Sequence, residues 1–195
     1  GRSHRAALSE TKIMEGRDMA TAIYPGSFDP PTLGHLDIIR RSAAIFNELV
    51  VCVMHNGAKG QSLFTCRERA QLLESITADI PNVRIETQGG LLADYVKNYE
   101  EPVVIRGLRA VTDFEYEFQM AAINKKLNCK IETMFMVASD KYTFLSSSVV
   151  RELGKYGREM SCFVPKAVEE AVHKKLSGEL CKSCLLYTSD AADEA

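Results

Sequence analysis

Tyr24-Pro-Gly-Ser-Phe-Asp-Pro-Pro-Thr-Leu-Gly-His35 is the stretch on which the reading of this chain turns. Just ahead, Thr21-Ala-Ile-Tyr24 is a short apolar run closed by Pro25-Gly26, which predicts a buried strand. Just behind, apolar residues at Leu36, Ile38, Ile39, Ala43 and Phe46 keep a helical period and predict a helix over 33–46. The quoted segment is therefore a strand-to-helix loop. Gly26 and Gly34 permit close backbone approach, and the free N–H groups of a helix start attract anions. His35 falls in the first turn, where its ring can face the same anion. Taken alone, His35 would equally fit a helix-start histidine satisfied by backbone. The Gly-Ser-Phe-Asp-Pro run followed by Thr-x-Gly-His, at this topological place, points to the anion site.

The same alternation repeats along the chain. Leu49-Val-Val-Cys-Val-Met54 reads as a second buried strand, Val83-Arg-Ile-Glu86 as a third, Val103-Val-Ile-Arg106 as a fourth cut off by Gly107, and 131–137 as a fifth. Capping boxes at Thr65-Cys-Arg-Glu68 and Thr112-Asp-Phe-Glu115 predict helices to about 76 and about 127. Helices over 91–99, 146–156 and 165–176 complete the pattern, the last with Pro165 in its first turn. Five strands alternating with helices imply right-handed βαβ units. The expected fold is α/β, a Rossmann-like, doubly wound, five-stranded parallel sheet with helices on both faces. Ligands of such sheets bind beyond the carboxyl ends of the strands, where the strand order reverses.

Composition narrows the class. The chain has 195 residues, of which 46 % are hydrophobic and 26 % charged, with a formal charge of −2. That suits one globular domain and argues against a generic nucleic-acid binder, which carries a basic excess. No apolar run reaches the ~18 residues of a membrane span. Residues 1–18 lack a period and precede Met19, so they read as an expression leader; residues 178–195, ending Asp190-Ala-Ala-Asp-Glu-Ala195, read as a disordered or vector-derived tail. The single domain is then 19–177, with 19 basic and 19 acidic residues, so any charge it uses is local. Of six cysteines, Cys181 and Cys184 form a lone C-x-x-C without the two further ligands a zinc site needs. Free cysteines and the absence of a secretory signal predict a cytoplasmic protein.

Three further segments carry chemistry. Ile105-Arg-Gly-Leu-Arg-Ala110 puts two forked donors, Arg106 and Arg109, after a strand, where they suit phosphate oxygens better than a solvated surface pair. Phe144-Leu-Ser-Ser-Ser-Val-Val-Arg151 opens a helix with three serines where one would cap it, which suggests a second anion cradle. Lys59 lies in the Gly-rich loop 56–61, where a lysine either reaches a phosphate or simply sits in solvent. No Walker loop, Cys/His metal set or recognisable serine–histidine–acid motif is present. Helix N-termini with Arg, His and Lys suit phosphoryl or nucleotidyl transfer, in which positioning and charge stabilisation do the catalysis.

These residues resemble a known family. Thr32-Leu-Gly-His35 is similar to the T/H-x-G-H signature of the nucleotidylyltransferase superfamily. Tyr-Pro-Gly-Ser-Phe-Asp-Pro, Ile-Arg-Gly-Leu-Arg-Ala, Asp113-Phe-Glu-Tyr-Glu117 and Ser-Ser-Ser-x-x-Arg resemble bacterial phosphopantetheine adenylyltransferases in order and spacing over about 20–176. The resemblance implies transfer of the adenylyl group of ATP to 4′-phosphopantetheine, giving dephospho-coenzyme A and pyrophosphate. It implies catalytic roles for His35, Lys59 and Arg109. It implies ATP contacts at Ser27, Phe28, His35, Gly107, Leu108, Arg109, Glu117, Tyr142, Thr143, Phe144, Leu145, Ser146, Ser147 and Ser148. Ser27, Lys59, Leu92 and Arg106 would hold the acceptor. Mg²⁺ through the ATP phosphates, direct in-line attack, a homohexamer and feedback by coenzyme A are implied as well. Ser27 stands where many members have Thr, Leu145 replaces a common Ile, and the Lys59 loop is one residue longer and lacks a second Lys. Other readings are a nicotinate mononucleotide adenylyltransferase, a cytidylyltransferase, a nucleotide-sensing module without turnover, and a redox or zinc protein built on Cys181 and Cys184.

Overall fold

The computed structural model describes residues 21–55 and 62–187. Five strands form one parallel sheet in the order β3-β2-β1-β4-β5, as the alternation predicts. They are β1 (Ala22–Gly26), β2 (Leu49–His55), β3 (Val83–Gly89), β4 (Val103–Leu108) and β5 (Glu132–Val137). The helices are α1 (Leu33–Ala43), α2 (Cys66–Thr77), α3 (Leu92–Tyr95, continued by a 3₁₀ turn over Val96–Asn98), α4 (Val111–Leu127), α5 (Ser147–Lys155) and α6 (Lys166–Tyr187). Because strand side chains alternate faces, Ala22, Tyr24, Val51 and Ile105 pack with Ile38, Ile39 and Leu73 of α1 and α2 on one side. Ile23, Val50, Cys52 and Val104 pack with Ala93 and Val96 on the other. A third cluster, with Phe64, Val150, Val168 and Val172, seats α5 and α6 beside α2.

Some boundaries differ from the sequence expectation. α1 stops at Ala43 rather than Phe46, because the Asn82 side-chain amide donates to the carbonyls of both Ala43 and Phe46 and ends the helix from outside. β4 runs through Gly107 to Leu108, since β5 supplies ladder partners Met136 and Val137 there. Thr112 is not the N-cap that the Thr112–Glu115 pattern predicts, because the helix already includes Val111. α4 starts on Ala110 without a side-chain cap, and Asp113 reaches back to the Arg109 N–H instead. The last helix continues past Leu176 to Tyr187, so it extends beyond the predicted end at 176. Residues 1–20, where the leader is expected, and residues 188–195 lie outside the described residues. Among the described residues, no helix is long and apolar enough to cross a membrane.

Candidate active site

The sheet splits where its order reverses. β1 pairs with β2 as far as Gly26↔Val53, but with β4 only at Ala22↔Val103 and Ile23↔Val104. Pro25 has no N–H to continue a ladder, and its carbonyl instead accepts from Arg106 Nη1 at 3.1 Å. The two strand ends thus part around a cleft of about 440 Å³, within the usual size of a small-molecule site. Its walls come from the β1–α1 loop, the start of α1, the end of β4, the first turns of α4 and the start of α5.

The loop after β1 is held from several sides. Phe28 has a left-handed φ of 47°, which an ordinary residue keeps only under external restraint. Its ring is buried and lies so close over Gly26 that a Cβ there would sit 2.8 Å from Phe28 Cζ. Buried Asp29 accepts from the N–H groups of Leu63 and Phe64, at 3.0 and 2.9 Å. Arg151 donates to the Asp29 carbonyl and Ser147 Oγ to the Pro30 carbonyl. Among the described residues, the N–H groups of Ser27 and Phe28 donate to nothing in the protein, so they are available to an anion.

His35 is the third residue of α1 and takes the place that Glu or Gln holds in an ordinary capping box. The Thr32 N–H donates to its Nδ1 at 3.0 Å, while Thr32 Oγ1 accepts from the His35 N–H at 3.3 Å. Accepting at Nδ1 leaves the ring proton on Nε2, the outward nitrogen. Burial, and then the nearby Arg109 charge, lower its pKa to about 4. At neutral pH His35 is therefore an uncharged Nε2–H donor. Phe28 supports it edge-on, with ring centroids 5.0 Å apart, and Tyr24 packs on Phe28 at 5.4 Å.

The two arginines are set by α4. Arg106 makes a two-pronged pair with Glu117, at 2.5 and 2.6 Å, in a part-buried setting. Arg109 pairs with Asp113, four residues on, and also donates to the Leu145 carbonyl at 3.0 Å. Asp113 and Glu117 lie one turn apart and so hold both guanidinium groups toward the cleft. The three serines divide their work. Ser146 Oγ caps the Val149 N–H, Ser147 is tied to the β1–α1 loop, and Ser148 accepts from Arg151. Their hydroxyls are thus engaged, and the α5 start offers the cleft its backbone N–H groups.

Of the residues singled out in the sequence, Ser27, Phe28, His35, Arg106, Gly107, Arg109, Glu117, Tyr142, Leu145, Ser146 and Ser147 line this one cleft. Leu92 does not; it packs against the cluster on the opposite face of the sheet. Leu108, Thr143, Phe144 and Ser148 are also outside the wall. Thr143 bonds the Asp140 carbonyl and the Phe144 ring packs edge-on against Phe163. Lys59 lies outside the described residues. Sequence reasoning did not assign Tyr24, Met54, Asp113, Tyr116 or Ala138 to the site. Tyr24 had a usable signal, since the last side chain of a strand at a switch point faces the ligand. Its ring is buried, its hydroxyl makes no hydrogen bond among the described residues, and burial pushes its pKa far up, keeping it a donor.

A parallel sheet split at its switch point, with two helix starts and two arginines facing one cleft, defines a nucleotidyltransferase. A family model described as cytidylyltransferase-like matches residues 23–153, and the chain belongs to that family. A solved structure from Vibrio parahaemolyticus, provisionally named a nicotinate-nucleotide adenylyltransferase, superposes with a TM-score of 0.57 at 17 % identity, covering 82 % of this chain and 92 % of its own; it shows the fold alone. Within the class, the chain belongs to the phosphopantetheine adenylyltransferase family. It is 52 % identical over 157 residues to the phosphopantetheine adenylyltransferase of Caldanaerobacter subterraneus subsp. tengcongensis, covering 80 % of this chain and 98 % of that protein.

Proposed function

We propose that this chain transfers the adenylyl group of ATP to 4′-phosphopantetheine, as the name of its relative indicates, in the cleft between β1 and β4. The observation that carries this reading is convergence. The free N–H groups of Ser27 and Phe28, the Nε2–H of His35, the start of α5, and Arg106 and Arg109 face one volume. A phosphate oxygen of the acceptor attacks the α-phosphorus in line, the bond to the β-phosphate oxygen breaks, and pyrophosphate leaves. No covalent enzyme intermediate is needed, and the protein's part is to orient two polyanions and stabilise charge on the equatorial oxygens.

In this reading His35 donates Nε2–H to the α-phosphate. Being neutral in the free protein, it adds a directed dipole at the point where charge grows. Arg109 takes the β- and γ-phosphate side and Arg106 the acceptor phosphate. Each is oriented by its α4 carboxylate, which leaves part of the guanidinium for substrate. The resemblance further assigns Lys59 to catalysis and acceptor binding and Leu92 to the acceptor arm. It assigns Leu108, Thr143, Phe144 and Ser148 to ATP.

Magnesium fits this site as a passenger on the nucleotide. Asp113 and Glu117 are both engaged by arginine, and among the described residues no three His, Cys, Asp or Glu gather as a metal set. Carried on the ATP phosphates, the ion would supply charge neutralisation of the triphosphate. A homohexamer is the expected assembly; exposed Phe114, Phe118, Ile123 and Leu127 on α4 support burial against a further copy. A cytoplasmic location and feedback by coenzyme A complete the proposal.

The test is pyrophosphate release from ATP and Mg²⁺ with 4′-phosphopantetheine or nicotinate mononucleotide as acceptor. Release with phosphopantetheine alone is expected. Release with the mononucleotide alone overturns the acceptor, and release with neither overturns the reaction.

A further inference from the structure

Arg69, on α2, is 4 % exposed, and no carboxylate lies within 4.0 Å of it among the described residues. A buried cation without a counter-ion is expensive, so its bonds need a reason. Nη1 donates to the Ser27 carbonyl at 2.6 Å, Nε to the Thr65 carbonyl at 3.4 Å, and Nη2 to Cys66 Sγ at 3.0 Å. The first of these reaches across 42 residues to the loop that lines the cleft.

A trans peptide points its C=O and N–H in opposite directions. Fixing the Ser27 carbonyl toward α2 therefore aims the Phe28 N–H to the other side, away from α2. That N–H, with the N–H of Ser27, has no protein acceptor among the described residues. Phe28 sits at a left-handed φ of 47°, a conformation that an external hold must maintain. The loop's other anchors grip different peptides: Arg106 holds the Pro25 carbonyl, Arg151 that of Asp29 and Ser147 that of Pro30. Among the described residues, only Arg69 grips the Ser27–Phe28 peptide itself. Its positive charge also stands directly behind the free donors.

We propose that Arg69 is a positioning residue for the phosphate loop, holding the Ser27–Phe28 peptide so that its N–H faces the nucleotide, with the substrate's phosphates as the negative charge its buried guanidinium otherwise lacks. This rests on the adenylyl-transfer reading above. Neither the loop motif nor the resemblance includes Arg69, which lies 42 residues from Ser27.

The experiment compares full-length wild type with R69M, which loses donor and charge, and R69K, which keeps the charge and one donor to Ser27. Thermal melts establish that each is folded at the assay temperature. ATP affinity is read by titration calorimetry, and kcat and KM by pyrophosphate release. A misplaced anion site costs about 10²-fold in rate, so R69M is expected to weaken ATP binding at least about tenfold and lower kcat/KM about 10²-fold, with R69K restoring most of both. A brace that only stabilises the fold would lower the melting temperature and leave ATP affinity untouched in folded protein. Folded R69M with wild-type ATP affinity and kcat/KM overturns the proposal. If R69M does not fold, R69L, which likewise lacks the donor and the charge, takes its place, and wild-type ATP affinity in R69L overturns the proposal equally. Wild type that binds ATP but releases no pyrophosphate refutes the reaction assigned above, while the affinity ratio of R69M to wild type still decides the role of Arg69.

Discussion

His35→Gln separates the two jobs that His35 combines. Glutamine at the third helical position is an ordinary capping-box partner, so its Oε1 can keep accepting the Thr32 N–H that now donates to Nδ1 at 3.0 Å. It removes the imidazole Nε2–H from the cleft. Loss of one preorganised donor costs roughly 10²–10³ in rate, about 3–4 kcal/mol, and kcat is expected to fall about 10²-fold while the melting temperature changes little. The same variant tests the charge state. The His35 pKa is lowered from 6.5 to about 4 in the folded protein. Below pH 6.5 the unfolded chain takes up a proton that the folded chain refuses, so this contribution is present above 6.5 and is lost as pH falls toward about 4. At about 1.4 kcal/mol per pKa unit the full value is about 3 kcal/mol, and solvent in the open cleft lowers it. Urea melts of both proteins at a series of pH values give the difference in stability. Wild type should lose about 1–3 kcal/mol relative to His35→Gln between about pH 7 and about pH 4. Parallel curves would refute the neutral ring, and wild-type kcat in the variant would remove His35 from the chemistry.

Arg106→Ala is expected to raise KM for phosphopantetheine about tenfold or more while moving KM for ATP less; equal changes would reverse its assignment. Glu117→Gln, which removes one charge from the pair that aims Arg106, should raise the same acceptor KM several-fold, and an unchanged value would show that Arg106 needs no guide. Gly26→Ala puts a methyl 2.8 Å from Phe28 Cζ; overpacking of this kind costs about 1–3 kcal/mol, read by urea melts, and because Phe28 supports His35 the turnover should fall as well. Chelation with excess EDTA should abolish pyrophosphate release without shifting the melting temperature of the nucleotide-free protein; a large shift would mean that the metal is held by protein side chains.

Much of the site was legible because βαβ units are local. The existence of β1 and β4 and the helix starts at Thr32 and Ser146 are set by short-range periodicity and capping, and the switch-point rule then places the residues near their junctions in one crevice. Both the Thr65–Glu68 box and the Ser146 cap form as their sequences dictate. Where an element depends on a distant partner, local signals fail. The α1 end waits on Asn82 and the length of β4 on β5.

The sequence by itself determined the fold class, the strand-to-helix loop and the residue types of a phosphate site, because each follows from patterns a few residues long. Tertiary structure alone decided how far His35 is withdrawn from solvent, that Glu117 aims Arg106, and what holds the Ser27 carbonyl. Those depend on partners that contact one another only after the sheet has formed, such as Arg69 with Ser27 and Arg106 with Glu117. Their energies are set by burial and orientation, which no run of neighbouring residues encodes.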